Sequence, residues 1–203
     1  MKPSTLSLLL IATATVFAAC SPVDTTGLSA QSSRTPTGNP DGLVTVTEYG
    51  DFQCPACKSA YTIITQPLLE KYGKQIRFEF KHFPLQTLHE YAMEAAQASE
   101  CAADQGKFWE FMDLNYKNQE KLSSTQLRTW AGELQLDTAL FDRCVRSGIK
   151  KTTVNADYTA GEKAGVDSTP TYFVNETKIP ANDLTAISAA IEEALKQRAT
   201  TRL

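Results

Sequence analysis

Two cysteines separated by two residues, Cys54-Pro55-Ala56-Cys57, lie between a stretch typical of a β-strand and a stretch typical of a helix. The first turn of a helix leaves backbone N–H groups without partners, and its dipole favours a negative charge there. Cys54 is therefore predicted to be a nucleophilic thiolate. Cys57, one helical turn later, is predicted to be the more buried thiol, which attacks the sulfur of Cys54 and releases a bound partner.

The same cysteine spacing occurs in half of a four-ligand zinc site. Such a site needs a second pair of ligands at short spacing. The remaining candidates are scattered singly along the chain: Cys101, Cys144, His82 and His89. Redox chemistry is therefore favoured over zinc binding, and we expect no metal and no diffusible cofactor.

The amino terminus is typical of a targeting segment. Residues 1–19 begin with Met1-Lys2 and continue with an apolar run that is too short for a typical membrane span, and small residues precede Cys20. This pattern resembles a bacterial lipoprotein signal. The resemblance implies cleavage before Cys20, a lipid on its sulfur, and anchoring to the cell membrane or outer membrane on the periplasmic or extracellular side. An ordinary secretory signal cleaved nearby is the alternative.

Residues 20–40 are rich in Ser, Thr, Pro and Gly and contain few large apolar side chains, which predicts a flexible linker. Residues 41–203 have the length of one domain. The chain has 20 Lys and Arg against 23 Asp and Glu and contains no basic run, so we expect no binding of nucleic acid.

The amino terminus predicts export, and in an exported chain all five cysteines can be assigned a role. If Cys20 carries lipid and Cys54 and Cys57 exchange disulfides, then Cys101 and Cys144 remain as a pair for a structural disulfide. Two free buried thiols are the alternative, since unpaired cysteine packs like a small apolar residue.

Glu48 is an acid on an apolar strand face. In the alternating run at 43–49 it shares its face with Val44 and Val46, close to the cysteine pair. Burial would raise the pKa of this carboxyl, which makes Glu48 a candidate proton acceptor for Cys57. The alternative is an ordinary carboxylate that reaches solvent at the edge of the sheet.

The rest of the chain predicts a mixed α/β fold. A second strand is predicted at 76–80, and a block with helical periodicity runs from about 88 to 163. Strands at 171–174 and 178–179 then form a hairpin, and Asn182 or Asp183 caps a last helix. The sequence therefore predicts a sheet whose strands are interrupted by a helical insertion.

Four segments in a fixed order resemble the DsbA-like thiol-disulfide oxidoreductases of the thioredoxin superfamily. They lie at 51–57, 80–84, 106–109 and 165–174, and the resemblance extends from residue 43 to about residue 196. It implies an α/β thioredoxin fold with the helical insertion between the second strand and the strand that follows a cis-proline.

The resemblance also implies roles for individual residues. Cys54 corresponds to the sulfur that exchanges with substrate and Cys57 to the resolving thiol. Pro170 corresponds to the cis-proline, and Thr169 before it offers its backbone to an extended substrate peptide. Only an X–Pro bond adopts cis at modest cost, although a trans proline on the surface is the alternative.

Glu48 matches the buried acid of the family, and Lys81 is a candidate for the lysine that accompanies it. His82 and His89 are expected to be structural or to face solvent. The strongly oxidising members commonly have histidine where this chain has Ala56. Without a cationic neighbour the pKa of Cys54 should be lowered less, which leaves the net direction of electron flow open.

The combined expectation is an envelope enzyme that oxidises thiols of exported proteins. A membrane redox partner would recycle it, the lipid on Cys20 would hold it at the membrane, and it is expected to be a monomer. An envelope reductase or isomerase that uses the same cysteine pair is one alternative. A peptide-binding lipoprotein with the same fold and no catalysis is the other.

Overall fold

The computed structural model describes residues 23–180 and 182–200. Its five strands form one sheet in the order β1-β3-β2-β4-β5, in which β2 and β3 are parallel and the other neighbours are antiparallel. The strands are β1 (Thr37–Gly38), β2 (Val44–Gly50), β3 (Ile76–His82), β4 (Thr171–Val174) and β5 (Thr177–Lys178).

Helices connect these strands in the predicted order. Between β2 and β3 lie α1 (Pro55–Ala60), a π-helical turn (Tyr61–Thr65) and α2 (Gln66–Tyr72). Between β3 and β4 lie α3 (Ala92–Ala103), α4 (Phe108–Lys117), a 3₁₀ turn (Gln119–Lys121), α5 (Ser124–Glu133), α6 (Thr138–Ser147) and α7 (Lys151–Lys163), and α8 (Leu184–Thr200) follows β5. The expected mixed α/β fold with a helical insertion before the last two strands is confirmed.

The central strand β2 leads into the candidate site, and six of its seven residues are buried. Val44 and Val46 are completely buried and pack with Ile187 and Ile191 of α8. A strand paired on both edges and covered on its faces has little freedom to shift its register. The turn that leaves β2 toward the cysteines is therefore held on a rigid element.

The helical insertion contributes Phe111, Trp130 and Phe141 to an apolar core that it shares with Phe52 and Phe80. A disulfide between Cys101 of α3 and Cys144 of α6 closes this core, so the two sulfurs left by the cysteine assignment are joined. Both residues are almost completely buried.

The segment before β2 differs from the predicted linker. The Lys150 ammonium donates to the Gln31 carbonyl (2.7 Å), the Arg34 guanidinium pairs with Glu100 and Asp157, and β1 pairs with β3. The prediction of a flexible linker at 20–40 is therefore wrong for residues 31–38. The reason is that ion pairs and backbone hydrogen bonds order this stretch, whereas the prediction considered only apolar burial.

The predicted signal peptide at 1–19 and the predicted lipid attachment at Cys20 lie outside the described residues. Across residues 23–180 and 182–200, none of the helices combines the length and the apolar character that crossing a bilayer would need.

Candidate active site

The two cysteines flank the first turn of α1. Cys54 is the N-cap residue and Pro55 occupies the start of the helix, where the missing N–H of proline removes no helical hydrogen bond. Cys54 is 6% exposed and Cys57 is completely buried, so the predicted difference in burial is confirmed. Neither sulfur takes part in a disulfide, so the site is in its dithiol form.

The environment of Cys54 favours a thiolate. The pKa of this thiol is lowered to about 5, mainly by a hydrogen bond from the Cys57 thiol and, with burial opposing, by Thr169 and the backbone N–H groups of Cys57 and Ala56. From the sequence, a lowered pKa of Cys54 is expected from the start of the helix alone. The largest lowering comes from the second cysteine, and the exposed residue Ala56 contributes through its backbone N–H.

Cys57 has the opposite environment. Burial raises the pKa of its thiol well above the ordinary value, and the negative charges of Cys54 and Glu48 act in the same direction. The backbone N–H of Asp51 donates to the sulfur at 3.5 Å. Cys57 therefore keeps its proton and donates it as a hydrogen bond to the Cys54 thiolate.

Thr169 and Pro170 face the cysteine pair from the far side of the site. Their peptide bond is cis, and the Cys54 sulfur lies 3.4 Å from the Thr169 carbonyl oxygen. The carbonyl accepts from the thiol form, whereas the buried Thr169 hydroxyl, which has no hydrogen-bond partner in the described structure, is available to the thiolate. Asn182 donates to the Pro170 carbonyl at 2.7 Å and ties this turn to the start of α8.

Glu48 is completely buried beneath the cysteines. Its Oε2 accepts a hydrogen bond from the Thr65 hydroxyl (2.7 Å), which lies 2.9 Å from the Tyr172 hydroxyl. Its Oε1 has no partner within the described residues, and burial raises the pKa of the carboxyl to about 7. The alternative of a carboxylate at the edge of the sheet that reaches solvent is wrong.

Lys81 does not accompany Glu48. In the parallel register Lys81 lies opposite Tyr49, whereas Glu48 lies opposite Phe80. Because neighbouring residues of a strand point to opposite faces, the lysine is on the other side of the sheet, with its ammonium 5.8 Å from the centre of the Tyr49 ring. Two hydroxyl groups therefore surround the acid in place of a cation.

Both histidines have carboxylate partners. His82 is buried and its Nε2 lies 2.9 Å from Glu100 in the insertion, which agrees with a structural role. His89 lies next to the site, with its Nδ1 2.8 Å from the carboxylate of Asp51.

Several residues that shape the site had not been singled out from the sequence. The amide of Gln119 donates to the carbonyls of Phe52 (3.0 Å) and Cys54 (2.9 Å). Asp51 binds the backbone N–H of Gln53 two residues later at 2.7 Å, a turn that aspartate commonly forms and that the sequence alone could have indicated. Gln119 carries no local signal because it reaches the site from the helical insertion.

Replacing Glu48 with Gln is expected to stabilise the protein at high pH. Since its pKa is raised in the folded state, the carboxyl favours folding below the unfolded pKa of 4.5, and this contribution is lost as the pH rises through about 7. Glu48→Gln should therefore gain up to about 3 kcal/mol in unfolding free energy at high pH and little at low pH.

Urea unfolding of both proteins at about pH 5 and about pH 9 measures this gain. Glu79→Gln is the matched control, because Glu79 lies on the adjacent strand β3 and is partly exposed beside Arg77. An equal gain at both pH values would show that Glu48 does not carry the charge assigned to it.

Among residues 23–180 and 182–200, no three His, Cys, Asp or Glu side chains are grouped so that they could hold a metal ion.

A dithiol at the start of a helix, facing a cis-proline that precedes an antiparallel strand, defines a protein of the thioredoxin fold. The chain matches the family model described as Thioredoxin over residues 31–193 and belongs to that family. The match begins within the N-terminal segment that the structure packs against the sheet and the insertion.

Solved structures of DsbA-like proteins share the fold. A thioredoxin-like oxidoreductase from Silicibacter pomeroyi is 26% identical, with 79% of this chain and 91% of that chain covered and a TM-score of 0.65. BdbD from Bacillus subtilis is 24% identical, with 81% and 94% covered and a TM-score of 0.71. Wolbachia pipientis alpha-DsbA1 is 21% identical, with 83% and 94% covered and the same TM-score of 0.71.

The curated relatives with similar sequences are named as antiporters and not as oxidoreductases. Na(+)/H(+) antiporter NhaA 1 from Salinispora arenicola is 36% identical over 158 residues, which are 77% of this chain and 24% of the antiporter. The antiporter NhaA from Herminiimonas arsenicoxydans is 32% identical over 156 residues, with 76% and 24% covered. This chain therefore spans about a quarter of the length of these relatives.

Proposed function

We propose that this protein is a thiol-disulfide oxidoreductase that oxidises the thiols of exported proteins. The observation that carries the proposal is the pair of opposed environments at Cys54 and Cys57, which lower the pKa of the first thiol to about 5 and raise that of the second. A thiol of low pKa is a good leaving group, and stabilising the dithiol form makes the disulfide form more oxidising.

The reaction begins with Cys54 and Cys57 joined as a disulfide. A substrate thiolate attacks the Cys54 sulfur, a mixed disulfide forms, and Cys57 leaves as a thiolate. Because its pKa is raised, the Cys57 thiolate takes up a proton. The carboxyl of Glu48, whose pKa is about 7, lies close enough to influence Cys57 and is the group that we assign to this proton transfer.

A second substrate thiolate then attacks the substrate sulfur of the mixed disulfide. The substrate disulfide forms, and Cys54 leaves as a thiolate that the Cys57 thiol and Thr169 stabilise. Two electrons have passed from the substrate to the protein. A membrane redox partner that accepts these two electrons would restore the Cys54–Cys57 disulfide.

The cis turn at Thr169 and Pro170 is the proposed docking point for substrate. It lies against the Cys54 sulfur, so an extended peptide held there would have its own sulfur within reach. Thr169 would offer backbone groups to that peptide.

We also propose export and a lipid anchor on Cys20, with residues 1–19 as the signal that is removed. The support is the sequence pattern around Cys20. Leu28 packs against the apolar core and Asp24 pairs with Arg143, so contacts with the domain begin close to Cys20 and would hold the domain near its anchor.

Equilibration in glutathione buffers, with the two cysteine pairs quantified separately by mass, tests the direction of electron flow. We expect the Cys54–Cys57 disulfide to be reduced at potentials typical of strong oxidants, about −120 mV, and a reduced unfolded client to gain disulfides. A potential near that of thioredoxin, about −270 mV, would favour the reductase instead. The Cys101–Cys144 pair serves as an internal control, because it should stay oxidised throughout.

A further inference from the structure

Asp51 contacts both cysteines through its backbone. Its carbonyl accepts a hydrogen bond from the Cys54 N–H at 3.1 Å, and its own N–H donates to the Cys57 sulfur at 3.5 Å. A rotation of this one residue would therefore move the backbone of Cys54 and the contact of the Cys57 sulfur together.

The side chain of Asp51 is completely buried and is bound by three donors. Oδ1 accepts from the Gln53 N–H (2.7 Å), and Oδ2 accepts from the Leu85 N–H and from the His89 ring, both at 2.8 Å. An ionised carboxylate has no proton to give, so His89 Nδ1 carries the hydrogen of this contact.

The loop that supplies two of these donors is fixed at both ends. At its start the Phe83 N–H donates to the Gly50 carbonyl at 2.8 Å, and at its end the Tyr91 N–H donates to the Gln53 side chain at 2.6 Å. The loop between β3 and α3 therefore forms a brace against the turn before Cys54, with Asp51 as the point of contact.

We propose that Asp51 and His89 are positioning residues for disulfide exchange, because their contact holds the turn before Cys54 in the geometry that aims the Cys57 thiol at the Cys54 sulfur. The inference rests on the proposed function only in taking Cys54 as the reacting sulfur. The side-chain hydrogen bonds of Asp51 and His89 go to backbone N–H groups and to each other, so both residues act through the backbone of the turn.

Asp51 could act on Cys54 through its negative charge or by holding the turn in position, and these two roles predict opposite changes in the pKa of Cys54 when Asp51 is replaced. A carboxylate close to a thiolate disfavours the thiolate, so if Asp51 acted by its charge, Asp51→Asn would lower the pKa of Cys54. If Asp51 acts by position, the same change places an amide N–H against one of the three donors, loosens the turn and raises that pKa.

The experiment measures the ultraviolet absorbance of the Cys54 thiolate against pH in the full chain, in its reduced form. We expect Asp51→Asn and His89→Leu to raise the pKa of Cys54 by about one unit, the scale on which a lost hydrogen bond to a charged group acts. His89→Asn, which retains an N–H near the position of Nδ1, should restore most of the shift. The disulfide of both impaired variants should also become harder to reduce in glutathione buffers.

His82→Leu is the matched control, because it removes the other histidine that bonds a carboxylate, while its side chain hydrogen-bonds Glu100 and neither cysteine. We expect this variant to unfold at a lower temperature with the pKa of Cys54 unchanged. If Asp51→Asn does not fold, the pKa of Cys54 in His89→Leu and in the rescuing variant His89→Asn tests the inference.

An unchanged pKa in folded His89→Leu would overturn the inference, and so would a lowered pKa in Asp51→Asn. The thiolate titration requires no client protein. A wild-type protein that fails to oxidise clients would therefore contradict the proposed function while leaving the positioning role to be decided by the titration.

Discussion

Cys54→Ser is expected to abolish disulfide exchange with a client, whereas Cys57→Ser is expected to trap the client on Cys54. Cys54 is the sulfur that is slightly exposed and has a pKa of about 5, so its removal leaves no thiolate for the client at neutral pH. We expect the rate of client oxidation to fall by more than about a thousandfold, the scale on which removal of a nucleophile acts.

In Cys57→Ser the Cys54 thiolate can attack a disulfide of an oxidised client, one client sulfur leaves as a thiolate, and the protein has no second thiol in the site to resolve the mixed disulfide. A mixed disulfide between Cys54 and the client should therefore accumulate and persist. Cys57→Ala removes the thiol that chiefly lowers the pKa of Cys54 and puts no other donor in its place, so this pKa should rise in that variant. Mass spectrometry of the acid-quenched reaction detects the trapped complex, and titration of the thiolate absorbance detects the shift.

Ala56→Ser is the matched control, since it alters an exposed residue between the two cysteines and should leave exchange intact. The same variants separate the enzyme from a peptide-binding module. A client that binds Cys54→Ser as tightly as the wild type, together with no turnover in the wild type, would favour the module.

Removing the disulfide between Cys101 and Cys144 is expected to cause the largest loss of unfolding free energy among the variants described. The bridge joins residues 43 positions apart, and closing a loop of this length stabilises a fold by about 4 kcal/mol in the chain-entropy model. The double variant Cys101→Ala/Cys144→Ala should therefore lose about that much unfolding free energy in urea.

Cys54→Ser/Cys57→Ser provides the comparison, because it also removes two buried sulfurs, but from the site and not from the insertion. It should lose much less in the reduced form of the site, since Cys54 and Cys57 are free thiols and no cross-link is removed. A loss below about 1 kcal/mol in the Cys101/Cys144 variant would show that packing of α3 on α6 holds the insertion without the bridge.

Local sequence patterns predicted most of the elements around the site. Ser123 and Asp137 cap α5 and α6 through bonds to Gln126 and Leu140, as side chains of these types do before a helical run. Pro55 begins α1 because a first helical turn tolerates proline, and Pro170 adopts cis because only an X–Pro bond does so at modest cost. Each of these signals lies within a few residues of the structure that it determines.

Contacts between distant segments could not be predicted in the same way. The order of residues 31–38 depends on Arg34 meeting Glu100 and Asp157, which are 66 and 123 residues away. The error at Lys81 has the same origin, because the register between β2 and β3 decides which face of the sheet it occupies.

The sequence by itself determined the cysteine pair, its place at a helix start, the proline opposite it and the α/β order of the elements. Only the tertiary structure decided the rest of the environment of Cys54, because Thr169, which also lowers its pKa, is 115 residues away along the chain. The physical reason is range: turns, caps and periodicity are set by neighbouring residues, whereas a pKa depends on whichever donors and charges the fold brings within hydrogen-bonding distance.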